Sequence, residues 1–274
     1  MITSTQNAKI KHLVELQTKS KVRNKEGLLI AEGLRIFEEA PIKLIKDIYV
    51  EEGTLAEMQN EGLAPSSHLR KVYDKICACK EKGCFVETVT MEVMKKASDT
   101  SSPQGIIFVC RKPNFELKDI LGNFPEKSKG NVLILEDIQD PGNLGTMMRT
   151  AEAAGMSGII MSRQCADMYN PKTVRSTMGA IFRVPHVYVD SLTDTINELK
   201  ESKIKIYATD LKADGAYDEV DYSGRCGILI GNEGNGLSRE LVEISDTRVI
   251  IPMCGEIESL NAAVAAALMM YISR

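Results

Sequence analysis

Residues 131–155 have the sequence NVLILEDIQDPGNLGTMMRTAEAAG. The apolar run Val132–Leu135 predicts a short buried strand, and Thr146–Ala154 predicts a helix that follows a Pro-Gly-Asn-Leu-Gly loop. A buried strand that leads through a glycine-containing turn into a helix is the repeating unit of α/β proteins. The stretch therefore predicts a parallel sheet that is covered by helices on both faces.

The alternation of strands and helices continues to the end of the chain. Further strands are predicted at Gly158–Met161, His186–Val189, Ile204–Ala208, Gly227–Ile230 and Arg248–Ile251, and helices at Lys172–Met178, before Lys203, after Leu237 and at Leu260–Ile272. Parallel sheets bind their ligands beyond the carboxyl ends of the strands. We therefore expect the functional residues in the loops that follow Leu135, Ala208, Ile230 and Ile251.

Residues 1–110 predict a smaller mixed α/β unit that begins with a polar helix. Its predicted strands are Gly27–Ala31, Lys46–Val50 and Gly105–Cys110, and a further helix is predicted at Leu34–Ala40. Residues 111–130 contain two prolines, two glycines and many charges, which is typical of a domain boundary. We therefore expect one domain at 1–110, a linker at 111–130 and a second domain at 131–274.

The composition restricts the class of protein. Of the 274 residues, 43% are hydrophobic and 26% are charged, as in a globular protein that buries a core. The net charge of −4 does not indicate a nucleic-acid partner, so binding of RNA would require a local basic surface. The first residues form no apolar signal region, and no run of about 18 apolar residues could span a bilayer. We therefore expect a cytoplasmic protein without a membrane partner.

The cysteines and histidines give no sign of a metal or a hydrolase. Seven cysteines, an odd number, favour a reducing compartment over a disulfide framework. Cys77, Cys79 and Cys84 lack the paired spacing of common zinc sites, so no metal is expected. The three histidines stand apart in sequence with no nucleophile beside them, so no hydrolase triad is predicted.

Three loops of the second domain carry polar residues that could do chemistry. Asn143 lies near the predicted helix cap, and Arg149 lies in the first turn or so of that helix, where a cation is disfavoured unless an anion lies nearby. Glu233, in GILIGNEGNGLS at residues 227–238, is either a helix-start carboxylate or a site residue. Ser259 is a candidate N-cap of an alanine-rich helix whose face could serve a dimer.

The glycines of the second loop argue against two familiar cofactors. They stand at 231, 234 and 236, a G-x-x-G-x-G order that reverses the dinucleotide fingerprint, and no G-K-[ST] follows them. A nicotinamide-dependent oxidoreductase is an alternative suggested only by parallel α/β architecture and glycine loops. The glycine order counts against it.

In this order and spacing, the three loops resemble the three motifs of the SpoU/TrmH family of SPOUT methyltransferases. The resemblance covers residues 131–274, and TSTQNAKIKHLVELQTKSKVRNKEGLLIAEGLR at residues 3–35 is similar to the small ribosomal-protein-like RNA-binding domain that precedes many members. It implies an α/β fold with a deep trefoil knot, a homodimer, and S-adenosylmethionine as the cofactor. The implied activity is 2′-O-ribose methylation of RNA, with 23S ribosomal RNA favoured over transfer RNA. A non-catalytic RNA-binding member of the same fold stays an alternative.

The resemblance also implies roles for individual residues. By position in the motifs, the catalytic set is Asn143, Arg149, Glu233, Ser259 and Asn261, and the cofactor-binding set is Gly231, Ile251 and Leu260, with Thr209 and Met253 as neighbours. An arginine is almost never deprotonated in a protein. Our hypothesis is therefore that Arg149 binds the adjacent RNA phosphate, while a phosphate oxygen or Glu233 receives the proton of the ribose hydroxyl.

RNA-binding residues are expected in both domains. The first domain has a basic run, Lys9, Lys11, Lys21 and Arg23 together with Lys19 and Lys25, that is opposed only by Glu15 and Glu26. Such a run is more often a solvated helix face, and the resemblance favours RNA contact instead. Arg175 occupies the position where relatives have an RNA- or phosphate-facing arginine.

Overall fold

The computed structural model describes residues 1–60, 62, 64–122 and 129–274, so residues 123–128 of the predicted linker lie outside the described residues. The chain forms two compact units. The first contains Met1–Pro113 and Asp167–Phe182, and the second contains Asn114–Ala166 and Arg183–Arg274. Residues 167–182, which the sequence prediction placed inside the C-terminal domain, thus pack with the first unit.

The first unit contains a four-stranded mixed sheet in the order β1-β4-β2-β3. The strands are β1 Leu28–Glu32, β2 Ile45–Glu51, β3 Phe85–Val89 and β4 Ile106–Arg111. Strand β4 runs antiparallel to β1 and β2, whereas β2 and β3 are parallel. The three predicted strands match to within one residue at each end, and β3 was not predicted.

Short helices cover this sheet. They are α1 Ala8–Thr18, α2 Ser20–Glu26, α3 Leu34–Glu39, α4 Glu52–Met58, α5 His68–Glu81, α6 Met91–Ala97 and, from the later segment, α9 Pro171–Ser176. Helix α1 is amphipathic, because Ile10, Leu13 and Leu16 repeat every third residue and are at most 1% exposed. Its lysines Lys9 and Lys11 therefore point away from the core.

The second unit contains a six-stranded sheet in the order β10-β8-β9-β5-β6-β7, and every neighbouring pair is parallel. The strands are β5 Val132–Leu135, β6 Gly158–Ser162, β7 His186–Val189, β8 Lys205–Thr209, β9 Cys226–Ile230 and β10 Thr247–Val249. The helices are α7 Leu117–Gly122, α8 Pro141–Ala154, α10 Leu192–Glu201, α11 Arg239–Ile244 and α12 Ala262–Ile272. The predicted α/β fold with a parallel sheet is confirmed.

The strand order explains where a site can form. The four strands whose loops were predicted to hold functional residues, β10, β8, β9 and β5, are consecutive in the sheet. Because they are parallel, their carboxyl ends lie along one edge. The loops after these strands are therefore neighbours in space.

Two predicted helix starts were wrong. Helix α8 begins at Pro141 and not at Thr146, because Asp140 is its N-cap and accepts a 2.8 Å hydrogen bond from the Asn143 N–H. Proline suits this first helical position, where its missing N–H would be unpaired in any case. Arg149 consequently lies in the third turn, and the prediction that it lies near the helix start is wrong.

Helix α12 begins at Ala262, and its N-cap is Asn261 and not Ser259. The Asn261 side chain accepts hydrogen bonds from the N–H groups of Ala263 and Val264 at 2.9 and 3.4 Å. Two shorter elements also differ from prediction. Strand β10 ends at Val249, and α9 ends at Ser176 shortly before Met178, whose φ of 51° is left-handed.

Within the described part of the chain, no helix is long and apolar enough to cross a membrane. All seven cysteines are free thiols, and burial raises the pKa of Cys79 to about 11. Among the described residues, no group of histidine, cysteine or acidic side chains is arranged to hold a metal ion.

Candidate active site

The loop after β9 is closed by its own backbone. Asn232 and Gly236 exchange two backbone hydrogen bonds at 3.0 and 2.9 Å, and Asn232 Oδ1 also accepts a bond from the Gly234 N–H at 2.9 Å. The turn is so tight that a Cβ atom at Gly231 would lie 2.2 Å from the carbonyl carbon of Gly236. Gly231 is therefore required by the loop itself, and the loop projects Glu233 beyond the sheet edge.

Glu233 is a hydrogen-bond acceptor for the start of α8. Its carboxylate accepts bonds from the backbone N–H groups of Gln139 and Asp140 at 3.0 and 3.1 Å. It also accepts a 3.0 Å bond from Asn143 Nδ2. The loops after β5 and β9 are thus joined through one carboxylate.

Asn143 extends this arrangement to the third loop. Its Oδ1 accepts a 2.9 Å hydrogen bond from Asn261 Nδ2, while Asn261 Oδ1 caps α12. The series Glu233–Asn143–Asn261 therefore links all three loops that the sequence singled out. Three of the five predicted catalytic residues lie in direct contact.

The environment of Glu233 keeps this carboxylate ionised. Its partial burial raises the pKa, but hydrogen bonds from the Asn143 side chain and from backbone N–H groups outweigh that effect and hold the pKa below its usual range. A carboxylate with a lowered pKa and several donors is a weak proton acceptor. The geometry favours a positioning role for Glu233 over that of a base.

Arg149 lies on α8 with its side chain exposed to solvent. Among the described residues, its guanidinium has no hydrogen bond or ion pair. An arginine that is held by no carboxylate can bind a phosphate through two parallel N–H donors. Among the described residues, no hydrogen bond or ion pair joins Arg149 to Asn143, Glu233 or Asn261, so it is not part of the series.

The predicted cofactor residues follow three consecutive strands. Thr209 ends β8, and its Oγ1 donates a 3.1 Å bond to the Leu229 carbonyl; Gly231 follows β9, and Ile251 follows β10. Met253 and Leu260, like Ile251, are half-buried apolar side chains, whereas Ser259 is exposed. Within the described residues, no hydrogen bond joins Ser259 to the Glu233–Asn143–Asn261 series.

Sequence reasoning missed three residues that shape the site. Gln139 and Asp140 hold Glu233, and Asn232 Nδ2 donates a 2.8 Å bond to the Asp137 carbonyl. The signal for Asp140 was present, since an aspartate before proline is a common start of a helix. No local signal marks Gln139, because it acts through its backbone N–H.

The predicted RNA-binding residues have different surroundings. Lys11 and Lys21 are exposed, and Lys9 Nζ lies 3.4 Å from the centre of the Phe85 ring. Arg175 is half-exposed and forms a 2.9 Å ion pair with Asp99. Arg23 is only 2% exposed, and its guanidinium bonds to protein groups, so the prediction that it contacts RNA is wrong.

Two protein-family models match the chain. Residues 130–271 match the SpoU rRNA Methylase family, and residues 7–107 match the MRM3-like substrate binding domain. The chain belongs to the SpoU rRNA methylase family. The family match contains the Glu233–Asn143–Asn261 series together with Arg149.

Relatives of this SpoU family member align with nearly all of its length. The 23S rRNA (guanosine(2553)-2′-O)-methyltransferase RlmP of Bacillus subtilis (strain 168) is 33% identical over 272 residues, which cover 98% of this chain and 97% of RlmP. An AdoMet-bound rRNA methyltransferase from Sinorhizobium meliloti has a TM-score of 0.81 at 28% identity and covers 100% of this chain and 96% of that one. A solved RNA 2′-O ribose methyltransferase has a TM-score of 0.79 at 29% identity, with 99% and 97% covered.

Proposed function

We propose that this protein transfers the methyl group of S-adenosylmethionine to a ribose 2′-hydroxyl of RNA. The observation that carries the proposal is the Glu233–Asn143–Asn261 series, which joins the three family motifs at one edge of the parallel sheet. Arg149, on the same helix as Asn143, supplies a cation for the RNA that is paired with none of the described residues.

The residues at this edge suit S-adenosylmethionine. The half-buried side chains of Ile251, Met253 and Leu260 offer apolar contacts for the adenosyl group, and the missing side chain at Gly231 lets the turn after β9 pack closely. When bound, the cofactor supplies a methyl group activated by a positively charged sulfonium. We assign Thr209, Gly231, Ile251, Met253 and Leu260 to its binding.

The remaining residues orient the RNA. Arg149 binds the phosphate next to the target ribose, and Asn143 and Asn261 offer amide groups that hold the hydroxyl in line for attack. Glu233 fixes Asn143 and stays ionised, and the hydroxyl proton passes either to a phosphate oxygen held by Arg149 or to the Glu233 carboxylate. Ser259 lies just before Asn261 on the exposed rim and contacts the ribose.

Ribosomal RNA, and within it 23S RNA, is the preferred substrate over transfer RNA. RlmP, a 23S rRNA enzyme by name, matches this chain over nearly its full length, including the part that matches the MRM3-like substrate binding domain. Lys9, Lys11 and Lys21 of that part supply its basic surface. A separate substrate domain suits a large folded RNA, which offers contacts far from the methylated nucleotide.

The same proposal includes the assembly of the protein. A homodimer is supported by Val264 and Tyr271, which lie seven residues apart on α12 and are 47% and 48% exposed. The deep trefoil knot is supported by membership of the SpoU family and by the likeness in fold to the two solved methyltransferases. Domain limits of 1–110 and 131–274, with a linker between them, stay part of the proposal and are supported by family matches at 7–107 and 130–271, although residues 167–182 pack with the first unit. Seven free thiols suit the cytoplasm.

Mass spectrometry of nucleosides from ribosomal and transfer RNA tests the proposal, in cells with and without the gene. We expect one 2′-O-methyl nucleoside to disappear from a fragment of 23S RNA. The purified protein should restore it on the unmodified RNA when S-adenosylmethionine is added. Loss from transfer RNA alone would overturn the substrate assignment, and no loss from either pool would favour a non-catalytic RNA-binding member.

A further inference from the structure

Residues Asp167–Phe182, which we call the strap, lie in the connection between β6 and β7. They lie inside the match to the SpoU rRNA Methylase family at 130–271. They nevertheless pack as part of the first unit, whose residues 7–107 match the MRM3-like substrate binding domain. A segment of the methylase sequence thus belongs structurally to the substrate-binding body.

A buried arginine holds the strap. Arg23 Nη2 donates a 2.6 Å bond to Asp167 Oδ2, and Nη1 donates to the carbonyls of Leu16 and Gln17 at 2.8 and 3.1 Å. The side chain of Arg23 is 3% exposed. The Asp167 side chain is 26% exposed, so only the arginine of this pair is out of water. Removing its counter-ion would leave a buried charge unpaired, which is costly. We therefore interpret Arg23 as a residue that positions the strap.

A second ion pair also holds the strap, but here the strap carries the positive charge. The strap contributes the cation, Arg175, and the loop after α6 contributes the anion, Asp99, at 2.9 Å. Asp99 is itself held through its N–H, which donates to Glu32 on β1 at 3.3 Å. Gln17 of α1 and Arg175 of the strap line one small recess above β1. Helix α1 and the strap are therefore neighbours on one surface.

The chemistry of this surface is cationic. Helices α1, α2 and α9 all pack against the edge strand β1. They expose a group of lysines, Lys11, Lys21, Lys25 and Lys172, and the half-exposed Arg175. Of the acids in α1 and α2, Glu15 is paired with Lys19 and Glu26 with His12. A group of exposed cations on one surface suits the phosphates of a folded RNA.

We propose that the strap is part of the RNA-recognition surface and that Arg23 and Asp167 hold it in place. This inference rests on the proposed function for the nature of the ligand. Lys172 and Arg175 of the strap contact phosphates together with the lysines of α1 and α2.

The variant Asp167→Asn separates this role from simple electrostatics. It removes a negative charge from a cationic surface, so charge alone predicts tighter RNA binding. If Asp167 positions the strap, RNA binding should instead weaken about tenfold, while affinity for S-adenosylmethionine stays unchanged. Asp167→Glu keeps the charge and should recover most of the RNA affinity.

The probe is unmodified 23S ribosomal RNA transcribed in vitro, with binding to the full-length protein measured without cofactor at several salt concentrations. Cofactor affinity is measured by calorimetry. Arg175→Gln should weaken RNA binding about threefold to tenfold and lower the salt dependence by about one phosphate contact. Lys80→Gln, which removes a cation from α5 in the same unit, is the matched control. It should change neither the RNA affinity nor its salt dependence.

Equal or tighter RNA binding by Asp167→Asn, with cofactor affinity intact, would overturn the inference. If that variant does not fold, unchanged binding by Arg175→Gln would overturn it. Methyl transfer is assayed separately on the same RNA. A wild-type protein that binds this RNA but transfers no methyl group would refute the proposed function and leave the strap result standing.

Discussion

Asn261 Nδ2 donates a 2.9 Å hydrogen bond to Asn143 Oδ1, although 118 positions separate the two residues in the chain. The other end of the same amide caps α12 by accepting bonds from Ala263 and Val264. Asn143 in turn donates to Glu233. One side chain therefore sets both the start of α12 and the orientation of a residue at the start of α8.

Replacing Asn261 with aspartate should separate these two tasks. An aspartate still caps the helix, because its carboxylate accepts from the same N–H groups. It cannot donate to Asn143, and it adds a negative charge beside the oxygen of that amide. We expect near-normal thermal stability and methyl transfer reduced about a hundredfold, an effect of about 3 kcal/mol on the barrier.

The control for this prediction is Ser191→Ala. Ser191 caps α10 in the same unit through a 3.1 Å bond from the Asp194 N–H. Losing an N-cap costs about 1 kcal/mol of stability, so this variant should melt earlier and keep its activity. If Asn261→Asp transferred methyl groups at the wild-type rate, the bond to Asn143 would have no role in the reaction.

Glu233→Gln tests whether this carboxylate receives the proton. An amide cannot accept all the bonds that reach Glu233, so Asn143 loses its anchor and we expect turnover to fall at least tenfold. Because the pKa of Glu233 is lowered on folding, the stability that it contributes is present at neutral pH and is lost as the pH falls through that lowered pKa.

The pH dependence of turnover distinguishes the two roles. If Glu233 only positions Asn143, the acid limb of the rate profile should keep its shape in Glu233→Gln while the whole profile drops. An acid limb that vanished with the carboxylate would identify Glu233 as the proton acceptor.

Arg149→Lys tests phosphate binding by the planar guanidinium. A lysine keeps the charge but cannot make two parallel bonds to one phosphate. We expect kcat/KM to fall about a hundredfold, with thermal stability and cofactor affinity unchanged, because Arg149 is exposed. Arg163→Lys, at an exposed ion pair with Asp190, is the matched control. Near-normal turnover of Arg149→Lys would exclude the bidentate role.

Much of the second unit could be predicted because its strands are short apolar runs bounded by turns. The runs at Val132–Leu135 and Gly227–Ile230 correspond to β5 and β9 almost to the residue. The motif residues were found by their order in the sequence. Their contacts could not be predicted, since Glu233 and Asn143 lie 90 positions apart.

The errors share a physical cause. Pro141 and Gly142 were interpreted as a loop because both residues break helices in general, yet at a helix start proline is favourable. Arg23 was expected to contact RNA because its partner, Asp167, is 144 positions away and was not recognised. The local sequence pattern predicts whether a residue lies on the buried or the exposed face of its helix. Whether its charge is paired depends on residues far away in the sequence, which the pattern does not reveal.

His186 should make the folded protein less stable in mild acid. It is buried, its Nδ1 donates a 2.9 Å bond to the Val184 carbonyl, and burial lowers its pKa to about 4. Between about pH 6.5 and pH 4 only the unfolded chain binds this proton, so the free energy of unfolding should drop by about 2 kcal/mol from pH 7 to pH 5. Denaturant titrations of His186→Asn should lack this component of the drop, whereas the control His12→Asn should keep it. An undiminished drop in His186→Asn would assign the acid sensitivity to other groups.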